Sequence, residues 1–194
     1  MQQTAGLAAE YHASGKSLGV PLPTAQARRC AAPQVVAPPP AAPLYGRLAT
    51  WEAVRAFIFA GNARFTLRSL RTGARFTYRV RAKKTDAEAG LAGEALTYFV
   101  ETLRGPDNDA DYRYLGVLRQ PGRFWFTVAS QQRRDSASAQ ALIWALNAMR
   151  CGRAVLGVQL EVWHEGRCGR CGRALTVPES VGRGMGPECA GRMI

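Results

Sequence analysis

Two cysteines two residues apart, each followed by glycine, with a third cysteine downstream, constrain this chain more than any other feature. They lie in His164-Glu165-Gly166-Arg167-Cys168-Gly169-Arg170-Cys171-Gly172-Arg173 and in Gly184-Met185-Gly186-Pro187-Glu188-Cys189. A Cys-x-x-Cys pair of this kind forms a knuckle. Its thiolates converge on one point, backbone N–H groups can bond the sulfurs, and Gly169 and Gly172 permit the tight turns. Two thiolates do not close a tetrahedral site, and Cys189, with seventeen residues between it and Cys171, supplies a third. Gly186-Pro187 ahead of it places Cys189 in the first turn of a short C-terminal helix. For the fourth ligand His164 is the first choice, four positions before Cys168 and after a predicted strand. Cys151 is the alternative, and Cys30 lies far away in the leader. The expected cofactor is a structural Zn²⁺ in a treble-clef or ribbon-type finger, whose loss would unfold most of the segment after Trp163.

Other chemistries fit less well. A redox pair calls for a thioredoxin-like βαβ context, whereas this pair follows a strand and sits among glycines and arginines. A zinc deaminase needs His-x-Glu with Pro-Cys-x-x-Cys some distance on, and here His164 and Glu165 are adjacent. Asp107-Asn108-Asp109-Ala110-Asp111 has the look of a calcium loop, but Tyr112 stands where that loop needs Gly and Leu118 where it needs Glu. It reads as an acidic turn. The chain has two histidines, His12 and His164. With His164 on a metal, a Ser–His–Asp or Cys–His nucleophile is hard to assemble, and the expectation is a non-enzymatic protein.

Composition divides the chain. Residues 1–45 hold seven of the eleven prolines and no Phe, Trp or Ile, and read as a disordered Pro/Ala-rich leader. Residues 46–160 read as an α+β domain around one antiparallel sheet of five to six strands with two helices, and 161–194 as the zinc-finger module. Thr50 caps a helix carrying Trp51, Val54 and Ile58 and ending at Gly61. The apolar period then drops to two in Arg64–Arg68 and Arg75–Arg81, a hairpin turning at Gly73. Residues 85–95 look like a connection or a weak helical turn. Strands are expected at 96–103, 112–119, 123–129 and 155–163, with a helix capped by Asp135 or Ser136 and ended by Cys151-Gly152.

The formal net charge is +12, and among the 26 basic residues only Lys16, Lys83 and Lys84 are lysines. Such a balance favours a polyanionic partner. Residues 61–84 carry eight basic side chains and no acidic one. Alternation sends Phe65, Leu67, Phe76, Tyr78 and Val80 to one face, and Arg64, Arg68, Arg75, Arg79 and Arg81 to the other. Five guanidiniums on a ribbon can track a phosphate backbone, and Arg167, Arg170 and Arg173 in the knuckle extend the surface. Tyr112, Trp125 and Trp163 are candidate base-stacking residues, but core packing is expected of each. No apolar stretch has the length of a membrane span, and the first thirty residues lack a secretory signal's apolar core, so a cytoplasmic protein is expected.

The run from Gly166 to Arg173, with Leu175-Thr176, Pro178-Glu179-Ser180 and Gly184 through Cys189, resembles a module of uncharacterised proteins. These are encoded by bacteriophages, prophages and plasmids and carry a domain-of-unknown-function label. Thr72 through Val80, and Gly105-Pro106-Asp107-Asn108 with Tyr114-Leu115-Gly116, look like their N-terminal part, so the resemblance spans about residues 62–194. It implies a phage-type zinc-finger protein and no known reaction. The function expected from the chemistry is nucleic-acid binding through the arginine-rich hairpin. The alternative is an interaction or inhibitor protein that binds a host protein complex.

Overall fold

A computed structural model describes residues 46–91 and 95–192; the expected leader lies outside the described residues. The first helix, α1 (Trp51–Ile58), begins where Thr50 accepts a hydrogen bond from Ala53 N at 3.2 Å, and it buries Val54, Phe57 and Ile58. At Gly61 (φ 108°) the chain leaves the helix. Strands β2 (Asn62–Ser69) and β3 (Arg75–Ala82) follow, pairing Phe65 with Tyr78 and Arg64 with Arg79 across a turn at Gly73. After a short helix, α2 (Lys84–Glu88), come β4 (Tyr98–Leu103), β5 (Tyr112–Arg119) and β6 (Arg123–Trp125). Helix α3 (Ala137–Arg150) starts at Ser136, whose hydroxyl accepts from Ala139 N. Strand β7 (Leu160–His164) then leads into the cysteine module, with its short helices α4 (Pro178–Arg183) and α5 (Pro187–Gly191).

With the two-residue β1 (Arg47–Leu48), these strands form one seven-stranded antiparallel sheet in the order β1-β7-β2-β3-β4-β5-β6. The fold is α+β, as expected, with one strand more than the pattern showed. Strand β4 starts two residues later than expected, and two other strands are cut short, each for a local reason. After Trp125 the Ser130 hydroxyl accepts from Thr127 N at 2.9 Å and turns the chain away. Before Leu160, Gly157 (φ 78°) donates to Leu160 O at 2.8 Å and makes a turn of residues expected to be extended.

The two faces of the sheet differ in kind. One carries Phe65, Leu67, Tyr78, Val80, Tyr98, Val100, Leu118 and Val162, packed with Val54, Phe57 and Ile58 of α1 and Leu142, Leu146 and Met149 of α3. Burying side chains of this size contributes about 1.5–3 kcal/mol each. The phenol groups inside are satisfied, Tyr78 donating to Ser138 O at 2.6 Å and Tyr98 to Phe59 O at 3.0 Å. The opposite face belongs to no core cluster among the described residues. By strand register it presents Arg64, Arg68, Arg75, Arg79 and Arg81 together with Glu101, Glu161 and a set of aromatic rings. No helix among the described residues is long and apolar enough to cross a membrane.

Candidate functional site

The knuckle is built by its own backbone. Cys168 N donates to Arg173 O at 2.8 Å, Gly172 N to Cys168 O at 2.9 Å, and Gly169 N to Gly184 O at 3.0 Å. Gly172 and Gly184 both hold φ of 74°, a conformation that side-chain-bearing residues adopt only at a cost. The result gathers the sulfurs of Cys168, Cys171 and Cys189 within 4.8 Å of one another. Four thiolates at a Zn–S distance of about 2.3 Å would stand roughly 3.8 Å apart, so this trio is sized for a tetrahedral ion. Cys189 sits in the first turn of α5, behind Pro187, as its sequence context requires.

Electrostatics favour a thiolate here. Burial pushes the Cys168 thiol up, but backbone N–H groups of Cys171, Gly186 and Arg170 outweigh it and bring the group down to about 7. Cys189 moves the other way, raised to about 11 by burial and by the neighbouring Cys171 and Cys168 sulfurs. Three soft sulfur donors and amide hydrogen bonds suit a metal ion, and structural zinc is compatible with them.

His164 is not brought to this trio, which corrects the expected ligand set. Its Nε2 donates to Val181 O at 2.8 Å, and its Nδ1 accepts from Gly166 N at 3.1 Å. Both ring nitrogens are therefore committed to backbone in one neutral tautomer, leaving no lone pair for a metal. Its ring lies 5.1 Å from that of Phe57, and its backbone N–H donates to Gly46 O at 2.8 Å. The imidazole fastens α4 to the end of β7. Cys151 is exposed at the C-terminal end of α3 and is not among the converging sulfurs, and Cys30 lies outside the described residues.

The module leans on the sheet domain through a second small cluster, Cys168, Leu175, Val181 and Met185, which packs against Ala56 of α1 and Ala60 just beyond it. Phe57 is the close contact. A Cβ on Gly169 would lie 2.8 Å from its ring, and one on Gly184 would collide with the same ring. Those glycines serve the approach of an aromatic as much as the turns.

The structure places four of the five hairpin arginines in ion pairs. Arg79 Nε lies 2.6 Å from Glu101, Arg81 3.0 Å from the same carboxylate, Arg68 3.3 Å from Glu161 and Arg64 2.6 Å from Asp109. Arg75 has no ion pair among the described residues. In the knuckle, Arg167 donates to Gly172 O at 3.2 Å and Arg170 to Arg192 O at 2.9 Å; Arg173 has no ion pair among the described residues. The acidic partners were the part of the site hidden from sequence. Asp107 caps the β4–β5 turn by accepting from Asp109 N and Ala110 N, and so holds Asp109 over the arginines.

Trp125 and Trp163 depart from expectation, since neither is buried, while Tyr112 is buried as expected, at 6% exposure, but beneath the arginines and not in the main core cluster. Register sets Trp163 opposite Thr66, Tyr112 opposite Leu103 and Trp125 opposite Val117, all on the arginine face. The Arg79 guanidinium lies 4.1 Å over the centre of the Tyr112 ring. The Trp163 indole donates to Glu161 at 3.2 Å, and nearly half of Trp125 is exposed. Phe99 and Tyr114 continue the row with an edge-on contact at 6.1 Å. A shift of register between Val100 and Glu101 admits the extra residue that sets these side chains on this face.

Where the arginine face meets the module lies a cleft of about 460 Å³ lined by Asn62, Arg64, Asn108, Asp109, Glu165 and Arg167.

Residues 160–194 match a family of unknown function, DUF6011. No curated protein and no solved structure matches the chain.

Proposed function

We propose that this protein binds nucleic acid, without catalysing a reaction on it, through the uncovered face of its sheet, and that a structural zinc ion on Cys168, Cys171 and Cys189 holds the adjoining module. The observation that carries the reading is one face on which the five hairpin arginines of β2 and β3 lie between Trp163 on β7 and Phe99 and Tyr114 on β4 and β5. Guanidiniums neutralise phosphates and release counterions, while aromatic rings accept unpaired bases by stacking. The ion pairs temper this surface. Glu101, Asp109 and Glu161 hold the guanidiniums in place, and phosphates compete with these carboxylates for them. The C-terminal module's resemblance to proteins of phages, prophages and plasmids is compatible with such a role in a bacterial cytoplasm.

The same carboxylates support a second reading, a partner protein such as a host complex, because a surface of interleaved charges suits a protein interface. A salt titration separates the two. Nucleic-acid affinity that falls log-linearly with salt, at a slope of about −0.7 to −0.9 per phosphate contacted, supports the first. Absence of affinity at low salt, with a stable complex recovered from host extract, supports the second. Arg75→Glu with Arg81→Glu is the matching variant, because both side chains are exposed and neither is buried beneath another group. It is expected to abolish retention of nucleic acid with metal content unchanged and the fold intact by circular dichroism. Full retention would sink the assignment of this face.

A further inference from the structure

We infer that the cleft between the arginine face and the cysteine module is a pocket for one unpaired guanine base. The inference rests on the nucleic-acid reading above and adds what the site selects. The cleft's volume of about 460 Å³ falls within the usual range for small-ligand sites. Most of its lining is polar: the carboxamides of Asn62 and Asn108, the carboxylates of Asp109 and Glu165, and the guanidiniums of Arg64 and Arg167, with Cys168 and Gly172 of the knuckle completing the wall. That lining disfavours an apolar ligand and matches the hydrogen-bonding edge of a base.

The choice among bases follows from which groups are already spent. Asp109 accepts from Arg64 at 2.6 Å, and Arg64 also donates to Asn108 O at 3.3 Å. Glu165 accepts no hydrogen bond from the described residues, and its one charged neighbour, Arg64, stands 3.9 Å away. The side-chain amides of Asn62 and Asn108 make no hydrogen bond with the described residues, and Arg167 has spent one N–H on Gly172 O. The cleft therefore offers one unspent carboxylate flanked by unspent donors. A carboxylate accepts two parallel N–H donors, and a neighbouring amide or guanidinium donates to an oxygen. Guanine presents that set on one edge, N1–H and N2–H₂ as donors and O6 as acceptor. Adenine and cytosine each offer one donor group beside ring acceptors, and uracil one donor between two acceptors. The edge is the Watson–Crick edge, so the base must be unpaired to enter. Glu165 follows Trp163 by two residues, which puts the pocket at the end of the aromatic and arginine row, where a strand lying on that row would deliver a base.

The test uses the full chain and short unstructured uridine-rich RNA oligonucleotides of equal length, read by fluorescence anisotropy at low salt. One carries a single guanine. The others replace it with adenine, with hypoxanthine, which lacks the N2 amine, or with 7-deazaguanine, which keeps the pairing edge. Wild type is expected to bind the guanine and 7-deazaguanine probes about tenfold more tightly than the adenine and hypoxanthine ones. Glu165→Gln is expected to erase that difference while leaving affinity for the adenine probe and its salt dependence unchanged. Because Glu165 is exposed and belongs to neither core cluster, the variant should fold, and an unchanged melting temperature checks this. Equal affinity for all four probes would overturn the guanine pocket and leave the nucleic-acid reading standing. Preference for guanine that survives Glu165→Gln would overturn the pocket's assignment to this cleft. Absence of binding to any probe at low salt would overturn both.

Discussion

The sheet domain and the cysteine module solve the same problem with different means. One apolar cluster of 21 buried residues spans the sheet, α1 and α3, whereas the module's own cluster has four. A segment of about 30 residues with four buried side chains in its own cluster falls below the size at which burial alone offsets ordering, about 40 residues without a staple. The sheet is thus held by area, and the module by convergence of three sulfurs and by leaning on Phe57. The contrast teaches where each half should be vulnerable.

The sharpest break of the comparison is removal of the proposed ion. Structural zinc supplies on the order of 10 kcal/mol of apparent folding free energy in small fingers. Chelation, or Cys168→Ser, is therefore expected to strip amide-exchange protection from residues 165–192 while the strands from β2 to β6 keep theirs. A module that stays protected after elemental analysis shows it metal-free would refute the assignment.

Phe57→Ala should blur the comparison, because this ring belongs to the sheet's core and also fills the space left by Gly169 and Gly184. Loss of a buried phenylalanine costs about 3–5 kcal/mol, and here the loss should appear in both halves. Metal affinity and the global melting temperature are expected to fall together. A fall in melting temperature with metal affinity untouched would show the two halves to be independent.

The smallest effect is expected from pH at the junction. Burial lowers the pKa of His164 from its usual 6.5, against an opposing pull from the Val181 carbonyl bond. A depressed folded value means that the stabilisation is fully present above 6.5 and is lost as the pH falls through the folded value. Hydrogen exchange at β7 and α4 on either side of that range reads it directly, and His164→Asn, which cannot titrate there, should flatten the dependence. The same slope in His164→Asn would assign it to other groups.

Much of this was legible in the chain. Strict alternation through Phe65, Leu67, Tyr78 and Val80 announced β2 and β3, because side chains of a strand must take opposite faces. Thr50 and Ser136 announced their helices through the same hydroxyl chemistry, and Pro187 placed Cys189 in a helical first turn. What stayed hidden depends on contacts distant in sequence. Nothing local tells His164 that a carbonyl seventeen residues later will claim its Nε2. Glu101 reaches Arg79 and Arg81 only because β4 pairs with β3 in one register, and Tyr112 faces the arginines only after the irregularity at Val100. Strand β1 is two residues long, too short to carry any period.

Strand β7 is the last of the seven to be synthesised, yet it lies between β1 and β2. Until it emerges from the ribosome, β2 has a bare edge along Phe65–Ser69, and unpaired edges of that kind invite pairing with other chains. The nascent sheet must therefore wait for the segment that also carries the cysteines' approach. Closing the sheet and presenting the knuckle become a single late event, so a ribosome stalled just short of residue 160 would leave a β-edge without its cover and thiols not yet made.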